Sequence, residues 1–144
     1  MTTKQYLSRY RKFMSDIVFY ENMKENVIKD IASLKSPSFD EQVQGSPKND
    51  PIGELVIELE KDIGKYNLEI INCKAKMILI DNQIRKLKEI NEDYYKLLSY
   101  RYEIGFDWKQ ISEKILMSRS TMNRIHGAAL LKFDELFGET YKKL

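Results

Sequence analysis

Apolar residues recur at alternating spacings of three and four along two long stretches of this chain. The first stretch has one interruption, at Lys24, and consists of Tyr6, Tyr10, Phe13, Ile17, Tyr20, Val27, Ile31 and Leu34. The second is uninterrupted and consists of Ile52, Val56, Leu59, Ile63, Tyr66, Ile70, Cys73, Met77, Ile80, Ile84 and Leu87. Such heptad seams place the apolar side chains on one helix face. They predict two long helices, over about residues 3–35 and from residue 52 towards residue 91.

A proline-marked connector separates the two helices. All three prolines and Gly45 fall within residues 36–51, "SPSFDEQVQGSPKNDP". This length leaves enough slack for the helices to fold back as a long antiparallel, coiled-coil-like hairpin. Self-association through the same seams, giving a homodimer, is the competing arrangement. Lys24 either extends its amine to solvent or fixes the register of the seam.

Three shorter helices are predicted after residue 91. The segment "NEDYYKLLSYRYEI" ends at Gly105, a usual residue just past a helix end. Asp107 and Gln110 form a capping box that begins the short helix "WKQISEKI". Ser118 caps the third helix, "RSTMNRIHGAALLKFDELF". The residues expected to face inward on this last helix are Met122, Ile125, Ala129, Phe133 and Leu136.

A short helix, a three-residue turn and a longer helix form the helix-turn-helix arrangement. We therefore predict an all-α protein with two domains. Residues 1–91 form the helical hairpin with its connector at 36–51, and residues 92–144 form a small three-helix helix-turn-helix module.

The outer face of the third helix carries side chains suited to DNA. Their amide, hydroxyl and guanidinium groups match base edges and phosphates. The helix start at Ser118 also suits a phosphate, and the preceding helix is expected to cross the phosphate backbone. The predicted DNA-binding residues are Lys109, Lys114, Ser118, Arg119, Ser120, Thr121, Asn123 and Arg124. Packed pairs of helices are common in helical proteins. The side chains on this face therefore indicate DNA binding more specifically than the short helix, turn and longer helix do.

Charge and composition narrow the function further. The formal net charge is only +2, but between Lys109 and Lys132 five basic residues stand against one acid, Glu113. One cysteine and one histidine give little material for a nucleophile–base pair or a metal cluster. We therefore expect no enzyme, no catalytic or metal-binding residues and no cofactor. Cys73 is interpreted as a buried seam residue, and His126 as a surface or partly packed histidine.

No membrane segment is expected from the sequence. The longest uncharged apolar run, Met77 to Ile80, is too short to cross a bilayer, and "MTTKQYLSRYRKF" lacks the apolar core of a signal peptide. A cytoplasmic protein that does not bind membranes is expected.

The stretch "LLSYRYEIGFDWKQISEKILMSRSTMNRIHGAALLKF" resembles region 4 of sigma-70-type factors. In those factors an "L-x-x-R-Y-x-x-G-x-x-W-x-E-I-A" run precedes an "L-G-x-S-x-x-T-V" turn. The layout from Gln42 to Phe133 resembles small phage-encoded regulators of the ArpU/RinA-like group. This resemblance implies a sequence-specific DNA-binding regulator of phage late-gene transcription in the cytoplasm of a bacterial host. Double-stranded DNA would be its partner, and host RNA polymerase a further one.

Two departures from the region-4 pattern and two other functions bear on this hypothesis. Leu116 stands where the turn usually has glycine, so we expect a reshaped turn. Ser112 replaces alanine where the helices cross, which is tolerable if its hydroxyl bonds back to the helix. The alternatives are a phage DNA-packaging protein resembling a terminase small subunit, and a module that binds RNA polymerase rather than DNA.

Overall fold

The computed structural model describes residues 1–36 and 50–143, and all regular secondary structure within them is helical. The all-α prediction is thereby confirmed. Most of the predicted connector, and the resemblance between residues 42 and 49, lie outside the described residues. The helices are α1 (Thr3–Leu34), α2 (Pro51–Lys86), α3 (Glu92–Leu98), α4 (Trp108–Ile115) and α5 (Arg119–Phe137). Short 3₁₀ turns follow α2 (Leu87–Glu89) and α5 (Gly138–Thr140), and α3 continues as a π-helical segment (Ser99–Ile104).

The two predicted seams face inward. Every seam residue on α1 and α2 is buried or half-buried. None of the described helices has the length and hydrophobicity needed to cross a bilayer. The apolar residues at heptad spacing thus form the buried face of each long helix.

The contacts divide the chain into two compact units. One comprises Met1–Met14 and Ala75–Leu144, and the other comprises Ser15–Lys74. We call them the terminal unit and the central unit. The chain is thus divided after Met14 and after Lys74, whereas the sequence predicted one boundary after residue 91.

Within the central unit, α1 and α2 contact each other in antiparallel order. The Lys24 amine donates a hydrogen bond to Asn67 Oδ1 at 3.1 Å, and Lys35 lies 3.9 Å from a Glu60 carboxylate oxygen. The contacting residues on α2 therefore have lower numbers as the residue numbers on α1 increase, from Asn67 opposite Lys24 to Glu60 opposite Lys35. Lys24 is half-buried and hydrogen-bonded, so it occupies its seam position with a polar partner on the opposite helix.

The terminal unit has an aromatic core joined by long-range contacts. Tyr6 of α1 stacks on Tyr141 with ring centroids 4.4 Å apart, and both rings lie near Phe133 of α5. The Tyr6 hydroxyl donates to Gln83 Oε1 at 2.6 Å, which satisfies a buried amide on α2. Because Tyr141 and Phe133 are fully buried, the start of α1 is fixed against the end of the chain.

The predicted helix caps are confirmed. Gly105 ends the π-helical segment at φ 85°, the left-handed conformation that glycine adopts without strain. Asp107 and Gln110 form the reciprocal capping box at the start of α4. The Ser118 side chain accepts the backbone N–H of Thr121 at the start of α5.

The inward face of α5 differs from the prediction at two positions. Met122, Ala129 and Phe133 are fully buried as predicted, and Ile125 is half-buried. Leu136 is 44% exposed, so its prediction was wrong. His126 is buried instead, and the inward face of α5 therefore includes a polar residue.

Leu116 takes the left-handed conformation itself, with φ 54° and ψ 45°. The turn therefore keeps a glycine-like backbone with residues 116–118 between the two helices, and the expected reshaping is not seen. The Leu116 side chain is 88% exposed, so the backbone strain is not accompanied by a packing clash. Ser112 Oγ donates to the Met117 carbonyl at 2.7 Å, so its hydroxyl bonds to the turn rather than back into its own helix.

Replacing Leu116 with glycine should stabilise the protein by about 0.5–1 kcal/mol. The substitution relieves a left-handed leucine, worth about 1–2 kcal/mol, against a glycine entropy cost of about 0.5–1 kcal/mol. Urea unfolding of Leu116→Gly and the parent measures the difference. An unchanged or lower stability would show that the leucine side chain makes a compensating contribution in the folded chain.

Candidate nucleic-acid interface

Three fully buried side chains, one from each of three helices, hold α4 and α5 together. Leu97 of α3, Ile111 of α4 and Met122 of α5 form this cluster. Partly buried Trp108 and Ile115 pack around it, among others. Since Met122 follows the first turn of α5, the cluster fixes the start of that helix against α4.

The eight predicted DNA-binding residues lie on α4 and at the start of α5. Seven of them are exposed: Lys109, Lys114, Ser118, Arg119, Ser120, Asn123 and Arg124. Thr121 is half-buried. The sequence therefore identifies a set of residues that the fold leaves accessible.

Two of these residues use their hydroxyl groups to cap α5. Ser118 Oγ accepts the Thr121 backbone N–H at 3.2 Å and donates to Thr121 Oγ1 at 3.0 Å. Both hydroxyls thus stabilise the helix start. The exposed polar groups of the first turns are then those of Arg119, Ser120, Asn123 and Arg124.

This surface is rich in uncompensated positive charge. No acidic residue occurs on α5 before Asp134, whose carboxylate lies 3.0 Å from the Lys142 amine. Within residues 1–36 and 50–143, no ion pair involves Lys109, Lys114, Arg119 or Arg124. The exposed cations therefore remain available to a polyanion.

Trp108, the first residue of α4, connects this surface to the π-helical segment. The Arg119 guanidinium lies 5.6 Å from the centre of the Trp108 ring, and the Arg101 guanidinium lies 4.7 Å from it. A cation over an indole ring is attracted by the ring's negative face. Trp108 thus restricts the side chain of Arg119 and holds Arg101 nearby.

His126 lies behind Trp108, only 7% exposed. Its Nε2 is 2.8 Å from the Tyr102 hydroxyl, and its ring meets Trp108 edge-on with centroids 4.7 Å apart. Burial, followed by the positive charges of Lys4 and Arg101, lowers the pKa of His126 to about 4. The imidazole is therefore neutral at pH 7 and forms part of the support for α4.

The roles of Arg101, Trp108 and His126 were missed by the sequence reasoning. Arg101 and Trp108 fall within the "R-Y-x-x-G-x-x-W" part of the region-4 pattern, to which no chemistry was assigned. That spacing was the sequence feature from which the roles of Arg101 and Trp108 could have been predicted. For His126, apolar neighbours at three- and four-residue spacing, Met122 and Ala129, were the available sign of an inward position.

The described residues include no group of three or more His, Cys, Asp or Glu placed to hold a metal ion. No family model, curated protein or solved structure matches the chain. The geometry and charge of this surface are therefore the basis for a functional proposal.

Acidification should destabilise the fold through His126. The folded chain resists protonation until about pH 4, whereas an unfolded histidine binds a proton near pH 6.5, so the free energy of unfolding falls as pH drops through this window. Between pH 7 and pH 5 the loss from this residue is about 2 kcal/mol.

Urea unfolding of the parent and His126→Gln at both pH values measures this loss. The glutamine does not titrate and can bond to Tyr102. Burial beside Asp81 raises the pKa of Glu103, which gives a pH dependence of opposite sign, but that contribution is common to both proteins. Equal pH dependence in the two proteins would contradict the assignment.

Proposed function

We propose that this chain is a non-enzymatic regulator that binds specific sequences of double-stranded DNA through α4 and α5. The observation that carries the proposal is the exposed, acid-free start of α5, fixed against α4 by the buried Leu97, Ile111 and Met122. An isolated basic helix face would be weaker support. Here the face is presented by a short helix, a three-residue turn and a longer helix.

In the proposed complex the first turns of α5 enter the major groove. Arginine can form paired hydrogen bonds with guanine, and asparagine with adenine. Arg119, Asn123 and Arg124 would supply such contacts. Lys109 and Lys114 of α4 would neutralise backbone phosphates, and the resemblance to phage regulators supports late-gene control as the biological setting.

We propose that the central unit binds a second copy of the chain. Among the described residues of this unit the most buried apolar one, Ile70, is still 6% exposed, whereas many core residues of the terminal unit are fully buried. Ile57, Leu68 and Ile71 are 55–62% exposed and lie on one outward face of α2. A Cβ added at Gly64, on the same face, would meet no atom within 4 Å beyond its chain neighbours and the nearby backbone of its own helix. This apolar face can be completed by its own copy around a two-fold axis.

Sedimentation equilibrium should give a dimer for the parent and a monomer for the Leu68→Glu/Ile71→Glu variant. Two buried, unpaired carboxylates at the contact would prevent association. Ala32→Glu adds a charge at an exposed position of α1 and is the matched control. A parent that is monomeric at all concentrations, or a variant that dimerises like the parent, would contradict the dimer.

Selection of bound duplexes from a random pool tests DNA recognition by the full chain. A recovered consensus, bound at least a thousand-fold more tightly than unrelated duplex, is the range expected of specific binders. No duplex binding at low salt would overturn the proposal. Capture by RNA polymerase without DNA binding would assign the module to protein interaction, and ring-shaped oligomers bound to DNA would favour the packaging alternative.

A further inference from the structure

A cleft of about 340 Å³ lies within the terminal unit, beside the start of α4. Three of its lining residues, Lys4, Ser8 and Arg11, come from α1. Their spacing of four and three places them on one helix face. Arg101 of the π-helical segment and Trp108 at the start of α4 also line the cleft, so α1 and these two elements form it together.

The cleft is lined by three cations and by no carboxylate. Lys4, Arg11 and Arg101 supply the positive charges. Within the described ranges none of the three takes part in an ion pair. A concave site that concentrates one sign of charge attracts ligands of the opposite sign.

Backbone contacts hold the two guanidinium groups in place. Arg11 Nη1 donates to the carbonyls of Glu103 and Ile104, at 3.3 and 2.5 Å. Arg101 Nη1 donates to the Phe106 carbonyl at 3.3 Å and its guanidinium lies over Trp108. Each guanidinium is anchored through one nitrogen, and its other N–H groups can serve a ligand.

His126 also lines the cleft and is buried. Lys4 and Arg101 both lower the pKa of His126, in addition to the effect of burial. The imidazole is held by the Tyr102 hydroxyl and is neutral at pH 7. His126 therefore adds no charge to the cleft at this pH.

We propose that this cleft binds a phosphate group. A phosphate presents several acceptor oxygens to donors that converge from different directions, and guanidinium and ammonium groups are its usual partners in proteins. Resting on the proposed DNA-binding function, its source is a backbone phosphate next to the base contacts. Trp108 supports this source because its ring contacts both Arg101 in the cleft and Arg119 on α5. Helix α1 then extends the DNA contact surface beyond α4 and α5.

Trp108 is the chain's single tryptophan, so its fluorescence reports on the cleft. The full-length parent, Lys4→Gln, Lys4→Glu and the matched control Lys12→Gln are compared. Lys12 is exposed on α1 and does not line the cleft. Each protein is titrated with inorganic phosphate against chloride at equal ionic strength, and its affinity for duplex DNA is measured across salt concentrations. Melting curves establish that each variant is folded.

If the phosphate is part of DNA, Lys4→Gln should weaken binding to all duplexes and lower the salt slope by about one, while Lys12→Gln behaves like the parent. If it belongs to a free ligand, inorganic phosphate should change the fluorescence of the parent saturably and that of Lys4→Glu much less. The salt dependence of DNA binding by Lys4→Gln should then equal that of the parent. Either result supports the cleft. No phosphate-specific fluorescence change together with a parental salt slope in Lys4→Gln would overturn it.

The outcome for the cleft is distinguishable from that for the proposed function. A parent that binds no duplex removes the DNA-binding proposal. In that case the titration with inorganic phosphate alone decides whether the cleft binds phosphate. Saturable binding would support it, and its absence would overturn it.

Discussion

Replacing Phe133 with alanine should lower the free energy of unfolding by about 3–5 kcal/mol, the range for removing a fully buried aromatic ring. Phe133 has no exposed surface and lies between Tyr6, Phe137 and Tyr141, with ring centroids 5.0–6.2 Å away. The alanine would leave a cavity and remove aromatic contacts from three directions. Urea unfolding at pH 7 measures the loss.

Leu131→Ala is the matched control for this prediction. Leu131 lies on the same helix, two residues away, and is 73% exposed. Its substitution should change stability by less than about 0.5 kcal/mol. A Phe133 variant as stable as the Leu131 variant would contradict the proposed packing of α1 against α5 and the chain end.

The long helices could be predicted because their seams depend on local periodicity. The spacing of three and four fixes which face of α1 and α2 is apolar, whichever surface covers that face. The helix ends after residue 91 were equally local, since capping by Asp107 and Ser118 involves residues only three positions away. These features need no knowledge of the rest of the chain.

The contacts that assemble the terminal unit could not be predicted in this way. Leu7 lies outside the seam and is fully buried, and Tyr141 follows a 3₁₀ turn without helical periodicity. Tyr6 and Tyr141 are far apart in sequence, and nothing local pairs them. The buried Gln83 likewise depends on the Tyr6 hydroxyl. Polar residues in a core become predictable only when their partners are known.

Only part of the candidate site could be predicted, because only part of it depends on local periodicity. The exposed side chains of α5 follow from helix periodicity once Met122 is assigned to the core. The cleft does not follow, because it combines α1 with a π-helical segment that was predicted only as ordinary helix. In that segment Tyr100 accepts hydrogen bonds from Gly105 and Phe106, each at 2.9 Å. π-helical turns of this kind often occur at functional sites.

The Arg119→Ala/Arg124→Ala double variant should lose roughly 2–6 kcal/mol of specific DNA binding. Each arginine is expected to form a paired contact with a guanine, worth about 1–3 kcal/mol against the wrong base. Preference at two base pairs should relax together. Binding to the selected consensus and to single-base variants of it, at one salt concentration, measures both effects.

Lys109→Ala and Lys114→Ala should differ from the arginine variants in kind. Both residues lie on α4, which crosses the phosphate backbone in the proposed complex. Losing one phosphate contact should weaken all duplexes alike and lower the salt slope by about one. Sequence preference should be unchanged, so the two groups of variants separate base reading from backbone attraction.

Loss of the fold is the main confounder for Arg119, because its guanidinium lies over Trp108. That cation–π contact contributes about 0.5–1 kcal/mol at an exposed site, so a small decrease in melting temperature is expected and would not explain the loss of DNA binding. Arg124→Ala alone, without such a contact in the described structure, serves as the cleaner variant. If both arginine variants bind DNA as the parent does while capture by RNA polymerase is lost, the outer face of α5 binds protein. The DNA contact would then have to come from another surface.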